Sequence, residues 1–284
     1  MKLLTICGIG DIHWVMLKME SFIEQNCKGE KPEVHIWNFD GRPRSGDFVK
    51  RIPFVEFGGY FNQPLEIDKH RFHTSYFHNK YQEIKNFHGF DAYLCLNGGL
   101  REGYSMDDIL PQYKTNWNYE INLDGCETTI KEPYIIFYFS NHGMFQEWVN
   151  HLTPKKIKQL LSQIKGYKLI LTGSTWDSEF NRFLESDDVI NMCGETSLDD
   201  LLGLIKGASA FVGWCGGNTI VSQHLNTPTL MLWSNYFDKP FQTNWVSPDR
   251  QGTIYRPMNV EGLNFDEFHK NLGELLERKA TLAT

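Results

Sequence analysis

Residues Asn191–Trp233 read NMCGETSLDDLLGLIKGASAFVGWCGGNTIVSQHLNTPTLMLW, and the fold is decided here. A short apolar run near Val189–Met192 predicts a strand. Leu198–Lys206 has the apolar spacing of a helix, with Thr196 or Ser197 placed to cap it. Ala210–Gly213 predicts the next strand, Asn218–His224 a second helix, and Thr229–Trp233 a third strand. Helices inserted between successive strands give a mostly parallel sheet covered on both faces. The junction Cys215-Gly216-Gly217-Asn218-Thr219 joins strand to helix without bulky side chains. Such a junction aims unpaired backbone N–H groups at a position that suits a phosphate. It also serves as a simple tight turn, and the residues alone leave both readings open.

The same alternation extends in both directions. Strands are expected at Tyr134–Phe139 and Lys168–Thr172, helices at Pro154–Ile164 and about 265–278. Upstream, residues 125–133 are polar and end in proline, as a linker would. Before them a second set begins with a strand at 2–7, a turn at Gly8-Ile9-Gly10-Asp11 and a helix at 12–26. That helix carries Ile12, Val15, Met16, Met19, Phe22 and Ile23 at helical spacing. Strands follow at Glu33–Phe39, Phe54–Phe57 and Ala92–Leu96, the last ending in Asn97-Gly98-Gly99. A loop is expected at Asp40–Arg44 and a helix at 74–87. A chain of 284 residues accommodates two domains. The expected bounds are 1–125 and 133–284, two doubly wound units with a cleft between the carboxyl ends of their sheets.

Lys and Arg number 28 against 35 Asp and Glu, a net charge of −7, which argues against holding nucleic acid by bulk charge. A hydrophobic content of 41% argues against disorder. The apolar run at the amino terminus is too short for a secretory leader, and no window approaches the ~18 apolar residues of a membrane span. The six cysteines, at 7, 27, 95, 126, 193 and 215, form no C-x-x-C pair. Reduced thiols and a cytoplasmic location are the expectation. The chain has no G-x-x-x-x-G-K-[ST], H-E-x-x-H or G-x-S-x-G. Gly8-Ile9-Gly10 begins a dinucleotide fingerprint whose third glycine position is His13. No D-x-D is present, the usual handle for a metal bridging a nucleotide diphosphate.

The stretch from Asn191 resembles the donor-binding half of the heptosyltransferase-like glycosyltransferases, family 9. Their pattern runs strand, "G-x-T/S-s-l-x-e-l", helix, "a-x-x-V-x-x-D-[ST]-G", helix, "T-P-x-x-x-L-[FYW]-[GS]". The opening Gly8-Ile9-Gly10-Asp11-Ile12-His13 is similar to their "G-x-G-D-x-x-h". Phe90-Asp-Ala-Tyr-Leu-Cys-Leu-Asn-Gly-Gly-Leu-Arg101 is similar to their "y-D-x-v-i-d-l-q-g-x-l-r". The resemblance implies an α/β GT-B fold, two Rossmann-like domains facing across a cleft. It implies acceptor on the amino-terminal domain, nucleotide-sugar on the carboxyl-terminal one, and inverting transfer without a metal or other cofactor. The final helix is a candidate to pack back on the first domain. The sequence departs from the pattern at Cys215, where the family has Asp, at Ile220, where it has His, and at Gln146-Glu147-Trp148, where a basic residue precedes Trp.

Asp11 is the expected base. Sugar transfer needs a group that takes the proton from an acceptor hydroxyl as it attacks, and a carboxylate does this. Without the resemblance, Asp11 reads first as the cap of helix 12–26 and only second as a base. The candidate donor site comprises the junction Cys215, Gly216, Gly217, Asn218 and Thr219, with Gly10. Ser140, Asn141 and His142 follow a strand, and His142 is a candidate substitute for the absent basic residue. Gly173 and Ser174 should border the nucleoside, Asp177 or Glu179 the ribose, and Met192, Thr196 and Ser197 the base.

Two basic segments mark the amino-terminal half. Arg42, Arg44, Lys50 and Arg51 oppose Asp47, while Lys69, Arg71, Lys80 and Lys85 interleave with aromatics and oppose Glu83. A solvated surface is the default reading, and a polyanion-binding face the alternative. The acceptor candidates are Arg42, Lys69, Arg71, Lys80, Arg101 and His13, although His13, two residues into the helix, reads first as packing or hydrogen-bonding locally. The expected activity is sugar transfer from a nucleotide-diphosphate-sugar to a hydroxyl of a glycan or glycolipid. Alternatives are transfer to a hydroxylated base in DNA, nucleotide-sugar 2-epimerisation, and non-catalytic nucleotide-sugar binding.

Overall fold

A computed structural model describes residues 1–6, 8–38, 44–62, 88–96, 104–139, 152–214, 216–233 and 246–282. The expected helix at 74–87 and the Asn97-Gly98-Gly99 turn lie outside them. The chain divides into two units, Met1–Asn122 and Leu123–Thr284.

In the first unit, β1 (Lys2–Ile6), β2 (Glu33–Trp37), β3 (Glu56–Phe61) and β4 (Ala92–Tyr93) form a parallel sheet in the order β3-β2-β1-β4. β3 starts later than the expected Phe54 and runs through Gly58-Gly59, a pair that reads locally as a break. Space and geometry require both glycines. A Cβ at residue 58 would collide with the side chains of His35 and Glu33, and Gly59 has φ 129°. Gly59 lies where the β2–β3 register shifts. β4 is shorter than expected, although Leu94 N still donates to Leu4 O at 3.2 Å. Arg44, expected in a loop, opens a helix, α2 (Arg44–Lys50).

Helix α1 spans Ile9–Asn26, so what was expected as a turn at Gly8–Asp11 is mostly its first turn. Its expected apolar stripe is buried except Ile23, and so are His13, Trp14, Leu17 and Lys18 on other faces. The cause is a segment without helix or strand, residues 104–122, bonded along the helix. Asn116 N donates to Leu17 O at 2.7 Å, Asn116 Nδ2 to Glu20 Oε2 at 2.7 Å, and Gln25 Nε2 to Gln112 O at 2.7 Å. Lys18 Nζ donates to Tyr113 O at 2.8 Å. Burial lowers the Lys18 pKa, and the nearby Asp107 and Asp108 oppose that shift. Each large apolar side chain removed from water contributes roughly 1.5–3 kcal/mol, so helix and strap stabilise each other.

The second unit holds a six-stranded parallel sheet in the order β10-β9-β8-β5-β6-β7. Its strands are β5 (Tyr134–Tyr138), β6 (Lys168–Leu171), β7 (Val189–Asn191), β8 (Ala210–Trp214), β9 (Thr229–Trp233) and β10 (Tyr255–Asn259). β10 was not expected. Among the described residues its helices are α3 (Pro154–Ser162), α4 (Thr175–Asn181), α5 (Leu198–Gly207), α6 (Gly217–His224) and α7 (Phe265–Leu282). α5 buries Leu201, Leu204 and Ile205 against Tyr134, Ile136, Ile170 and Phe211. α7, a candidate to reach the first domain, is bonded to its own unit. Lys279 Nζ donates to Ala208 O, Arg278 Nη1 to Gly252 O at 2.6 Å, and Arg256 pairs with Glu274 at 2.5 Å. Among the described residues, no helix is long and apolar enough to cross a membrane.

Candidate functional site

Each sheet has a point where its strand order reverses, between β1 and β4 in the first and between β5 and β8 in the second. Parallel α/β sheets bind ligands at the carboxyl ends of their strands at such points. α1 follows β1 and α6 follows β8, so both helices start there. Both also open on glycine with no side-chain cap, Gly8 and Gly216. By contrast, Thr153 caps α3, Ser197 and Asp200 form a box on α5, and Asn264 accepts from Asp266 N at the start of α7. An uncapped start leaves first-turn N–H groups for another acceptor, and the helix dipole favours an anion there.

In the second unit, Gly216 is extended (φ −170°), and Gly217, Asn218 and Thr219 form the first turn of α6. Gly213 pairs with Tyr138 across the sheet. A Cβ at Gly213 would meet Tyr138 Cβ at 2.9 Å and Phe211 Cε1 at 2.8 Å. The Tyr138 ring thereby lies beside Gly216, with Cε1 3.5 Å from the place of a Cβ there. Sequence reasoning missed Tyr138 because its signal is a glycine on the partner strand. Thr219 is buried and its hydroxyl donates to Trp214 O, so its backbone N–H is what it offers a ligand. Polar bonds hold the helix and its end farther along. Ser222 Oγ donates to Thr219 O at 2.8 Å and lies 2.8 Å from Thr229 Oγ1, and Arg250 Nε donates to Asn226 Oδ1 at 3.3 Å.

The other donor candidates divide by structural role. Asp177, expected at the ribose, is buried and caps its own helix, accepting from Ser174 N at 2.7 Å and Ser174 Oγ at 2.8 Å. Ser197 is likewise bound to Asp200, with Oγ donating to Oδ2 at 2.6 Å. Gly173 sits under the Asp177 carboxylate, which fills the space a Cβ would need. Met192 packs on the α5 core cluster, and Thr196 is buried. Glu179 lies within α4. A cavity of about 480 Å³ opens beside Thr175, Ser178, Arg182 and Glu185, so it too is lined by α4 and the turn after it.

In the first unit, Gly8 has φ 120° and serves as the cap residue of α1; Asp11 is the third helical residue and not the cap. Asp11 is half-buried, and its carboxylate folds back over Gly8, where a Cβ would collide with Oδ2. Ser45, at the start of α2, accepts the Gly8 N–H at 3.0 Å in a buried setting. Gly10 is buried inside the first turn. His13, an acceptor candidate, is fully buried and lies 2.7 Å from the Tyr119 hydroxyl through Nδ1. That burial withdraws its ring from any solvent-borne acceptor. Lys50 of the first basic segment pairs with Asp47 at 2.9 Å and lies over the Phe57 ring. Ser140, Asn141, His142, Cys215, Arg42, Lys69, Arg71, Lys80, Arg101 and Gln146-Glu147-Trp148 lie outside the described residues.

No family model matches this sequence, and no curated protein matches it. Solved structures do match in fold. Against E. coli ADP-heptose lps heptosyltransferase II the TM-score is 0.67 at 16% identity, over 99% of this chain and 100% of that one. The glycosyl transferase family 9 protein of Veillonella parvula DSM 2008 gives 0.60 at 10% identity, with 97% of each chain covered. E. coli heptosyltransferase WaaC, solved with ADP, gives 0.60 at 12% identity, over 97% of this chain and 100% of that one. Over nearly its whole length, this chain has the GT-B fold of the heptosyltransferase-like family 9 glycosyltransferases.

Proposed function

We propose that the protein is a glycosyltransferase that moves a sugar from a nucleotide-diphosphate-sugar to an acceptor hydroxyl, by inversion and without a metal. The observation that carries this reading is the pair of glycine-opened, uncapped helix starts at the two switch points, within a fold shared with heptosyltransferases. The α6 start in the carboxyl-terminal unit takes the donor diphosphate on the N–H groups of Gly217, Asn218 and Thr219. The α1 start in the amino-terminal unit serves the acceptor. Asp11 removes the hydroxyl proton as the oxygen attacks the anomeric carbon, and the nucleoside diphosphate departs with the bonding electron pair. Glycan or glycolipid hydroxyls are the acceptor class. A cytoplasmic setting goes with this reading, since the six cysteines of the sequence form no C-x-x-C pair.

The test begins with calorimetry of ADP, UDP and GDP and their sugars. ADP comes first because one structural neighbour was solved with it. Saturable binding of a nucleoside diphosphate, and sugar release or transfer that needs the intact Asp11, support the proposal. Absence of binding to every nucleotide-sugar overturns it.

A further inference from the structure

Asp11 lies between two buried tethers. On its amino-terminal side, Gly8 N donates to Ser45 Oγ at 3.0 Å. On its carboxyl-terminal side, two residues on, His13 Nδ1 lies 2.7 Å from the Tyr119 hydroxyl. The two rings also touch, with centroids 5.4 Å apart, and Tyr119 packs edge-on against Phe54 at 6.0 Å. Burial pushes the Tyr119 phenol well above its usual range, so the hydroxyl keeps its proton and remains a hydrogen-bonding group at any working pH. Further bonds between the strap and α1 lie at Leu17, Lys18, Glu20, Gln25 and Asn26. At 1.5 Å of rise per residue, Leu17 is roughly 9 Å along the axis from Asp11, whereas His13 is roughly 3 Å away. The cap residue Gly8 has no side chain with which to stabilise this first turn.

Resting on the assignment of Asp11 as the base, we infer that His13 and Tyr119 are positioning residues. Their bond holds the first turns of α1 against the strap and so fixes the Asp11 carboxylate where the acceptor hydroxyl must meet it. Neither residue touches substrate. Misplacing a reacting group by about 1 Å can cost on the order of 100-fold in rate. A bond whose loss lets the turn drift therefore acts on the chemical step and leaves donor binding alone.

The test is Tyr119→Phe, which removes one oxygen and keeps the ring against Phe54, with His13→Gln as a second variant should the first fold poorly. Expected is a fall in kcat of at least about 10-fold at unchanged KM for the donor. Amide exchange over residues 9–13 should be faster. The same change made on Asp11→Asn should lower its residual rate no further, because the positioned group is already gone. An active wild type with unaltered kcat or unaltered exchange in Tyr119→Phe overturns the inference. An equal loss in both backgrounds does so too, since it marks a general structural defect. A wild type that transfers no sugar fails at the earlier step and removes the base role itself.

Discussion

The amide of Gly8 donates to the hydroxyl of Ser45 at 3.0 Å, in a buried contact spanning 37 residues of sequence. In a capping box, a side chain in the third helical position returns to the cap residue's own N–H. Here Ser45 accepts that N–H, and the third position is Asp11. The glycine is demanded twice, by its φ of 120° and by the Asp11 carboxylate lying where a Cβ would be. Gly8→Ala should therefore destabilise the protein by about 1–3 kcal/mol, read from the midpoint of urea unfolding. Gly216→Ala is the contrast. Its extended backbone and a 3.5 Å approach to Tyr138 accommodate a methyl group, and its midpoint should move little.

Asp11→Asn keeps the shape of the side chain and removes its basicity. Loss of a general base typically costs about 10²–10⁴-fold. We expect kcat to fall by that order while nucleotide affinity and Tm stay near those of the wild type. Steady-state kinetics alongside calorimetry separate the two. Wild-type turnover in the variant would place the base elsewhere.

Gly217→Leu should leave the fold intact and weaken nucleoside diphosphate binding by about 10-fold or more, because the new side chain blocks approach to the first-turn N–H groups of α6. Circular dichroism checks the fold and titration calorimetry the affinity. Full affinity would remove the α6 start as the diphosphate site.

Transfer should persist in EDTA. With helix N–H groups meeting the diphosphate charge, no divalent cation is required. Activity that disappears on chelation and returns with magnesium or manganese would contradict this.

Stability should fall at alkaline pH through Cys193. Burial pushes its thiol up from 9.0 to about 11, partly offset by the hydrogen bond from Asn181 Nδ2. Folding thus favours the protonated thiol. Its contribution is complete below the unfolded value of 9.0 and is lost as pH rises through about 11. Tyr119 acts with the same sign at higher pH. Denaturant midpoints measured across that window should decline, and Cys193→Ala should decline less steeply from its own lower starting value.

Much of this architecture is local information. β9 occupies Thr229–Trp233 as its apolar run predicted, and α5 is capped by Ser197, one of the two residues placed before its apolar stripe to do so. Gly216 and Gly217 mark the start of α6 because a turn and a helical period are each written within a few residues. Those periods determine that the sheets are parallel. They also bring Asp11 and Gly216–Thr219 to strand ends. The tertiary structure decided the rest. Glu56–Phe61 forms one strand through two glycines because the side chains of β2 occupy the space beside Gly58. α1 is buried beyond its apolar stripe because residues 104–122 cover it, and nothing within the helix announces that cover. Asp177 faces its own cap, and His13 faces a tyrosine 106 residues away. A side-chain bond across such a separation has no period and no local composition. It exists only once the packed core has excluded water from both partners, which makes the Tyr119 hydroxyl a partner worth having for His13.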